Sequence, residues 1–127
     1  MEKREFTHII GNGLFETISY EQVDEHHFYE LSDWHQQKLL DWIEDNFIPA
    51  SRSEGVVQEL TTYTIKQHFT NAGRGPFFVY DNQMKEAFWK AGFRPVKTDA
   101  FHWTIRLSPR SPYLHNFRRK STKEAQL

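Results

Sequence analysis

Seven histidines, 17 carboxylates and 16 Lys or Arg side chains are the chemically competent groups of a 127-residue chain that contains no cysteine. The missing thiols exclude disulfides, thiolate metal sites and cysteine nucleophiles, and they fit a reducing compartment. His26 and His27 are adjacent, which on a strand sends them to opposite faces, and His35 falls one turn into a helix; no His-x-x-x-His pair occurs with a carboxylate to complete a metal site. Asp41, Glu44 and Asp45 recur at i, i+3 and i+4 on the outward face of a helix, a spacing typical of solvated charge. Ser, His and Asp are present, yet no spacing makes them nucleophile, base and orienter, and neither a phosphate loop nor a dinucleotide fingerprint is found. The sequence therefore predicts a non-enzyme without metal or cofactor, whose chemistry is binding.

What it binds is suggested by the distribution of charge. The net charge is −1. Residues 1–60 carry 4 Lys/Arg against 13 Asp/Glu, a balance of −9, and residues 61–127 carry 12 against 4, a balance of +8. Such a division suggests a basic face for a polyanion and an acidic part with another task. The 11 Phe, 5 Tyr and 4 Trp argue for a packed core, since each ring can bury roughly 150–250 Å². No apolar run approaches the roughly 18 residues of a membrane span, and the start lacks a signal-like apolar stretch, so a cytoplasmic protein is expected.

The elements that must position these groups follow from periodicity. Phe6–Ile10 and Leu14–Tyr20, flanking Gly11-Asn12-Gly13, read as a β-hairpin, with a third short strand at His27–Leu31. Ser32-Asp33 caps a helix over 33–47, in which Leu39, Leu40, Ile43 and Phe47 keep helical spacing, and Pro49 stops it. After a linker at Ser51–Gly55, Leu60-Thr61-Thr62 caps a second helix that places Tyr63, Ile65 and Phe69 on one side and ends near Asn71, before Gly73-Arg74-Gly75-Pro76. Asp81-Asn82 caps a third helix over 82–91: Met84, Ala87, Phe88 and Ala91 form its apolar stripe, Gly92 its C′ residue, and Gln83, Lys85, Glu86, Trp89 and Lys90 its outward face. Phe93–Val96 and Phe101–Leu107 then form a hairpin, with Phe101, Trp103, Ile105 and Leu107 on one face and His102, Thr104 and Arg106 on the other. The expected core includes Leu39, Ile43, Phe47, Ile65, Phe69, Met84, Phe88, Phe93, Trp103 and Ile105.

Thr62-Tyr63-Thr64-Ile65-Lys66-Gln67-His68-Phe69, then Phe78-Val79-Tyr80-Asp81-Asn82-Gln83-Met84-Lys85, then Ala91-Gly92-Phe93-Arg94-Pro95-Val96 and a closing Trp103, resemble a group of small winged-helix-like proteins of phages and mobile elements of Gram-positive bacteria. Met84 replaces the usual aromatic of that group, and His102 its usual Asn. With an N-terminal antiparallel hairpin or meander (1–31) and a basic flexible tail (108–127), both read from the residues themselves, an α+β fold is expected; the resemblance covers roughly residues 34–107 and implies a three-helix winged helix-turn-helix with a C-terminal hairpin wing (32–107). It also implies duplex DNA as partner, with the third helix in a major groove through Gln83, Lys85, Trp89 and Lys90. Lys66, Arg74, Arg94, Lys97 and Arg106 would then contact phosphates, and Arg110 of Ser108-Pro109-Arg110-Ser111 would join them from the tail, near the charge run Arg118-Arg119-Lys120.

The acidic half defines a competing function. An acidic sheet is repelled by DNA and is expected to point away from it, free to form a homodimer or to bind a protein. Glu21, Asp24, Glu25, Glu30, Asp33, Asp41, Glu44 and Asp45 could cover the DNA channel of a host defence nuclease, such as a CRISPR nuclease, in the manner of an anti-CRISPR protein.

Overall fold

The computed structural model describes residues 3–11, 14–21, 23–51, 57–70, 77–98 and 100–115 as a mixed α+β fold with two small antiparallel sheets. Strands β1 (Lys3–Gly11) and β2 (Leu14–Glu21) form the first, in a register that sets Phe6 opposite Ile18 and Thr7 opposite Thr17. Alternation does its expected work: Phe6, Ile18 and Tyr20 are buried, while Glu5, Thr7, Thr17 and Ser19 are exposed. The expected turn residues Asn12 and Gly13 lie outside the described residues.

Helix α1 (Asp33–Asn46) begins where Ser32 Oγ accepts the His35 N–H at 3.1 Å, and buries Leu39 and Ile43. Strand β3 (Gln58–Thr61) runs directly into α2 (Thr62–Thr70), and Thr61 Oγ1 accepts the Thr64 N–H at 3.1 Å. Helix α3 (Asp81–Lys90) ends in a Schellman closure. Gly92, at φ 98°, donates to Trp89 O and Phe93 N donates to Phe88 O, each at 3.0 Å. Strand β4 (Thr104–Leu107) completes the second sheet with Leu60 opposite Ile105.

One core runs through all of these elements. The ten residues expected inside are all buried, and Phe6, Ile18, Tyr20, Phe28, Tyr113 and Leu114 join them. Residues of 1–31 and of 108–115 thus share the core of the helical segment. Its centre is aromatic, with Phe47 against Phe88 at 5.2 Å and Tyr113 at 4.7 Å, and Trp42 against Phe69 at 4.8 Å.

Several expectations are corrected. Residues 27–31 are not a strand: Phe28–Glu30 is a 3₁₀ turn, closed by Glu30 N to His27 O and Leu31 N to Phe28 O. Strand 104–107, expected to pair with 93–96, takes its ladder from β3, which overlaps the residues expected to cap the second helix, while residues 93–96 contribute only a bridge from Pro95 to Ile105 and a bond from Val96 N to Thr104 O. Phe101 and Tyr63 are exposed instead of sharing the apolar faces assigned to them. The residue at the N-cap of α3 is Tyr80, whose N–H donates to Gln83 Oε1 at 3.0 Å; Asn82 is occupied elsewhere. The tail is packed as far as it is described: Ser108, Ser111, Tyr113 and Leu114 are buried, Ser111 Oγ accepts Ile48 N–H at 2.9 Å, and residues 112–115 are helical. The Arg118-Arg119-Lys120 run, the linker residues 52–55 and the Gly73–Pro76 turn lie outside the described residues.

Candidate nucleic-acid interface

The largest correction concerns α3. Every side chain from Asn82 to Trp89 is buried, so Gln83, Lys85, Glu86 and Trp89 do not form an outward face. The cause is the N-terminal segment, which lies on the helix instead of pointing away. Glu86, with no exposed surface, accepts Tyr20 Oη–H at 2.5 Å, Phe28 N–H at 2.7 Å and His27 Nδ1 at 3.1 Å. Asn82 Oδ1 accepts Val23 N–H at 2.9 Å, its amide donates to Asp24 O at 2.5 Å, and Gln83 Nε2 donates to His27 O at 3.1 Å. Lys85 Nζ lies 5.4 Å from the Tyr20 ring centroid and 5.6 Å from that of Trp103. Asn82, Gln83 and Glu86 are thus hydrogen-bonded to residues 20–28 instead of to water, which makes their burial tolerable. The face that a groove-reading helix would need is spent inside the fold.

The flanking cations fall into three groups. Lys66 is largely covered, 3.7 Å from Asp81 and 5.6 and 5.8 Å from the Tyr63 and Phe78 rings. Lys90 is half-buried, with Nζ 5.8 Å from the Tyr29 ring. Arg94, Lys97, Arg106 and Arg110 are exposed. Arg94 and Arg106 meet across a cleft of about 300 Å³ whose walls are Pro49–Ser51 and Gly92–Phe93. Arg94 is anchored: it donates to Trp89 O and Phe93 O, lies 4.0 Å from the Trp89 ring centroid, and forms a two-pronged pair with Glu16 at 2.8 and 3.1 Å. Arg106 faces Glu59 at 3.7 Å with both side chains more than half exposed, a pairing that water screens to little net energy. Arg74 lies outside the described residues.

The acidic set divides as well. Asp24 is structural: its carboxylate accepts His26 N–H at 2.8 Å and Asn82 N–H at 3.2 Å. Glu25, Glu30, Asp33, Asp41, Glu44 and Asp45 are exposed, and Glu21 carries no described side chain. The hydrogen bond from His26, 2.9 Å away, holds the Glu30 carboxyl below the usual carboxylate range. Burial, and then the Glu86 charge, push the Tyr29 phenol up. Among the described residues no cluster of His, Asp and Glu is arranged to hold a metal ion, and no helix is long and apolar enough to cross a membrane.

Exposed rings are what sequence reasoning missed. Tyr63, Phe78, Tyr80 and Phe101 stand in water around Lys66 and His102. A signal existed for two of them: Phe77-Phe78-Val79-Tyr80 is extended, and period two turns Phe78 and Tyr80 outward when Val79 is inside. No family model matches the chain, and no curated protein or solved structure matches it.

Proposed function

We propose that the chain is a winged-helix protein of phage or mobile-element type that binds nucleic acid by its phosphates, from the wing side and not through α3. What supports the winged frame is the order helix, strand, helix, helix, short bridge, strand, in which β4 lies between β3 and Pro95. The observation that carries the binding reading is the convergence of Arg94 and Arg106 on one cleft, with Lys97 exposed nearby in sequence. The Arg106 guanidinium, only loosely paired with Glu59, has forked donors suited to phosphate oxygens, whereas Arg94, committed to Glu16, Trp89 O and Phe93 O, adds positive charge to the cleft wall. With α3 buried, the reading entails affinity without base recognition in a major groove.

A salt titration on random-sequence duplex DNA tests it. About two phosphate contacts, from Arg106 and Lys97, give a log–log slope of roughly −2, and Arg106→Ala lowers its magnitude by about 1. No binding at low ionic strength refutes the reading.

A second reading, inhibition of a host defence nuclease by protein contact in the anti-CRISPR manner, is favoured by one feature of α1. Asp41, Glu44 and Asp45 are exposed at its C-terminal end, where the last turn has no cation. Like charges at this spacing, at the negative end of the helix dipole, cost a few tenths of a kcal/mol each, a cost that a basic partner would reverse. Recovery of a nuclease from a bacterial host, abolished by neutralising these three carboxylates, would favour it; retention of the same nuclease by the neutralised variant would count against it.

A further inference from the structure

Exposed rings run in contact from the wing to the start of α3. The Phe101 and His102 centroids are 6.3 Å apart, His102 and Tyr63 are 4.8 Å apart, and Phe78 and Tyr80 are 4.8 Å apart. Lys66 Nζ bridges the remaining gap, 5.6 Å from the Tyr63 centroid and 5.8 Å from that of Phe78. At the far end His26 stacks on Tyr80 at 3.6 Å with the planes 12° apart. Tyr63, Phe78, Tyr80 and Phe101 are 42%, 56%, 39% and 45% exposed, so the rings present area to a ligand and are not covered by the fold.

We propose that this strip is a stacking platform for single-stranded nucleic acid. The proposal rests on the phosphate-binding reading above and adds to it the form of the ligand. Flat rings interleaved with cations suit a single strand, because every base has a π-face while the backbone needs positive charge. Lys66 sits between two rings and 3.7 Å from Asp81, with the two side chains 13% and 17% exposed. Arg106 is exposed in β4, four residues along the chain from His102, and lines the two-arginine cleft. The Glu30 carboxylate bound to His26 marks the opposite limit, where a strand would meet negative charge. A duplex keeps its bases stacked inside and gains nothing from the rings.

Fluorescence anisotropy on the full chain, with a labelled oligo-dT strand and a random duplex of equal length, tests this. The single strand is expected to bind more tightly, and Tyr63→Ala and Phe78→Ala are each expected to weaken it about tenfold while leaving duplex affinity unchanged. Both substitutions truncate exposed rings, and an unchanged Tm verifies the fold. Arg106→Ala should weaken both ligands. A single strand that binds no better than duplex and ignores the ring substitutions overturns the platform while the phosphate reading stands. Failure to bind either ligand overturns both. Concentration-dependent self-association in sedimentation, abolished by Phe78→Ala, would assign the strip to a second copy and also overturn the platform.

Discussion

Glu86→Gln removes one charge from the junction of β2, residues 23–30 and α3, and changes almost no volume. The native carboxylate is fully buried and accepts from the Tyr20 hydroxyl at 2.5 Å, the Phe28 amide at 2.7 Å and His27 Nδ1 at 3.1 Å. A hydrogen bond to a charged acceptor contributes about 1.5–3 kcal/mol. The glutamine keeps one accepting oxygen and turns an NH2 group toward a donor, so at least one bond is lost and another opposed, for a cost of about 3 kcal/mol. In a domain of this size, where 1 kcal/mol moves Tm by about 3–5 °C, that is a fall of about 10–15 °C. Glu86→Ala strands the Phe28 amide and the Tyr20 hydroxyl as well, and should cost about 4–5 kcal/mol. Urea unfolding followed by tryptophan fluorescence measures both, Trp103 being buried beside Tyr20 at 5.5 Å. A double-mutant cycle with Tyr20→Phe should give a coupling energy of about 1 kcal/mol or more. If Glu86→Gln stays within about 0.5 kcal/mol of the parent at an unchanged m value, the carboxylate does not hold the segment and the reasoning fails.

Other outcomes follow from the same contacts. NMR titration should find the Glu30 carboxyl below its usual range and His26→Ala should return it upward; because the folded value is the lower one, the contact stabilises above the ordinary carboxyl range and its contribution vanishes as pH falls through the folded value. Gly92→Ala meets no neighbour within 4 Å, so its cost is backbone strain alone, about 1–2 kcal/mol by thermal unfolding. Lys85→Ala should lower Tm by several degrees, since Lys85 is buried over the Tyr20 and Trp103 rings, whereas Lys97→Ala should not. A chain starting at Ser32 loses Phe6, Ile18, Tyr20 and Phe28 from the core and should show no cooperative transition by calorimetry.

Legibility in the sequence was uneven for physical reasons. Caps and periodicity are local, so Ser32, Thr61 and Gly92 marked the ends of helices to within a residue or two. Strand pairing is not local: nothing near Gln58–Thr61 announces that its partner begins at Thr104. The outer side of α3 misled because periodicity separates apolar from polar residues, and burial does not. Glu86 and Gln83 look like a solvated face until Tyr20 and His27, more than 50 residues earlier, are placed beside them. The candidate strip was half visible, since alternation turns Phe78 and Tyr80 outward, but Tyr63 sits at helical spacing with Ile65 and Phe69 and its exposure depends on what packs around α2.

The clasp of residues 20–28 on α3 also sets a timetable. Tyr20 and Phe28 wait for Glu86, 66 and 58 residues downstream. At about 5–20 residues per second, a ribosome needs roughly 3–13 seconds to supply it. Through that interval the β1–β2 hairpin has no helix to lie on, and an isolated hairpin is marginal in water. The balance of −9 over the first 60 residues then acts as a solubilising charge on a nascent chain, discouraging contact between neighbouring copies until the helix arrives.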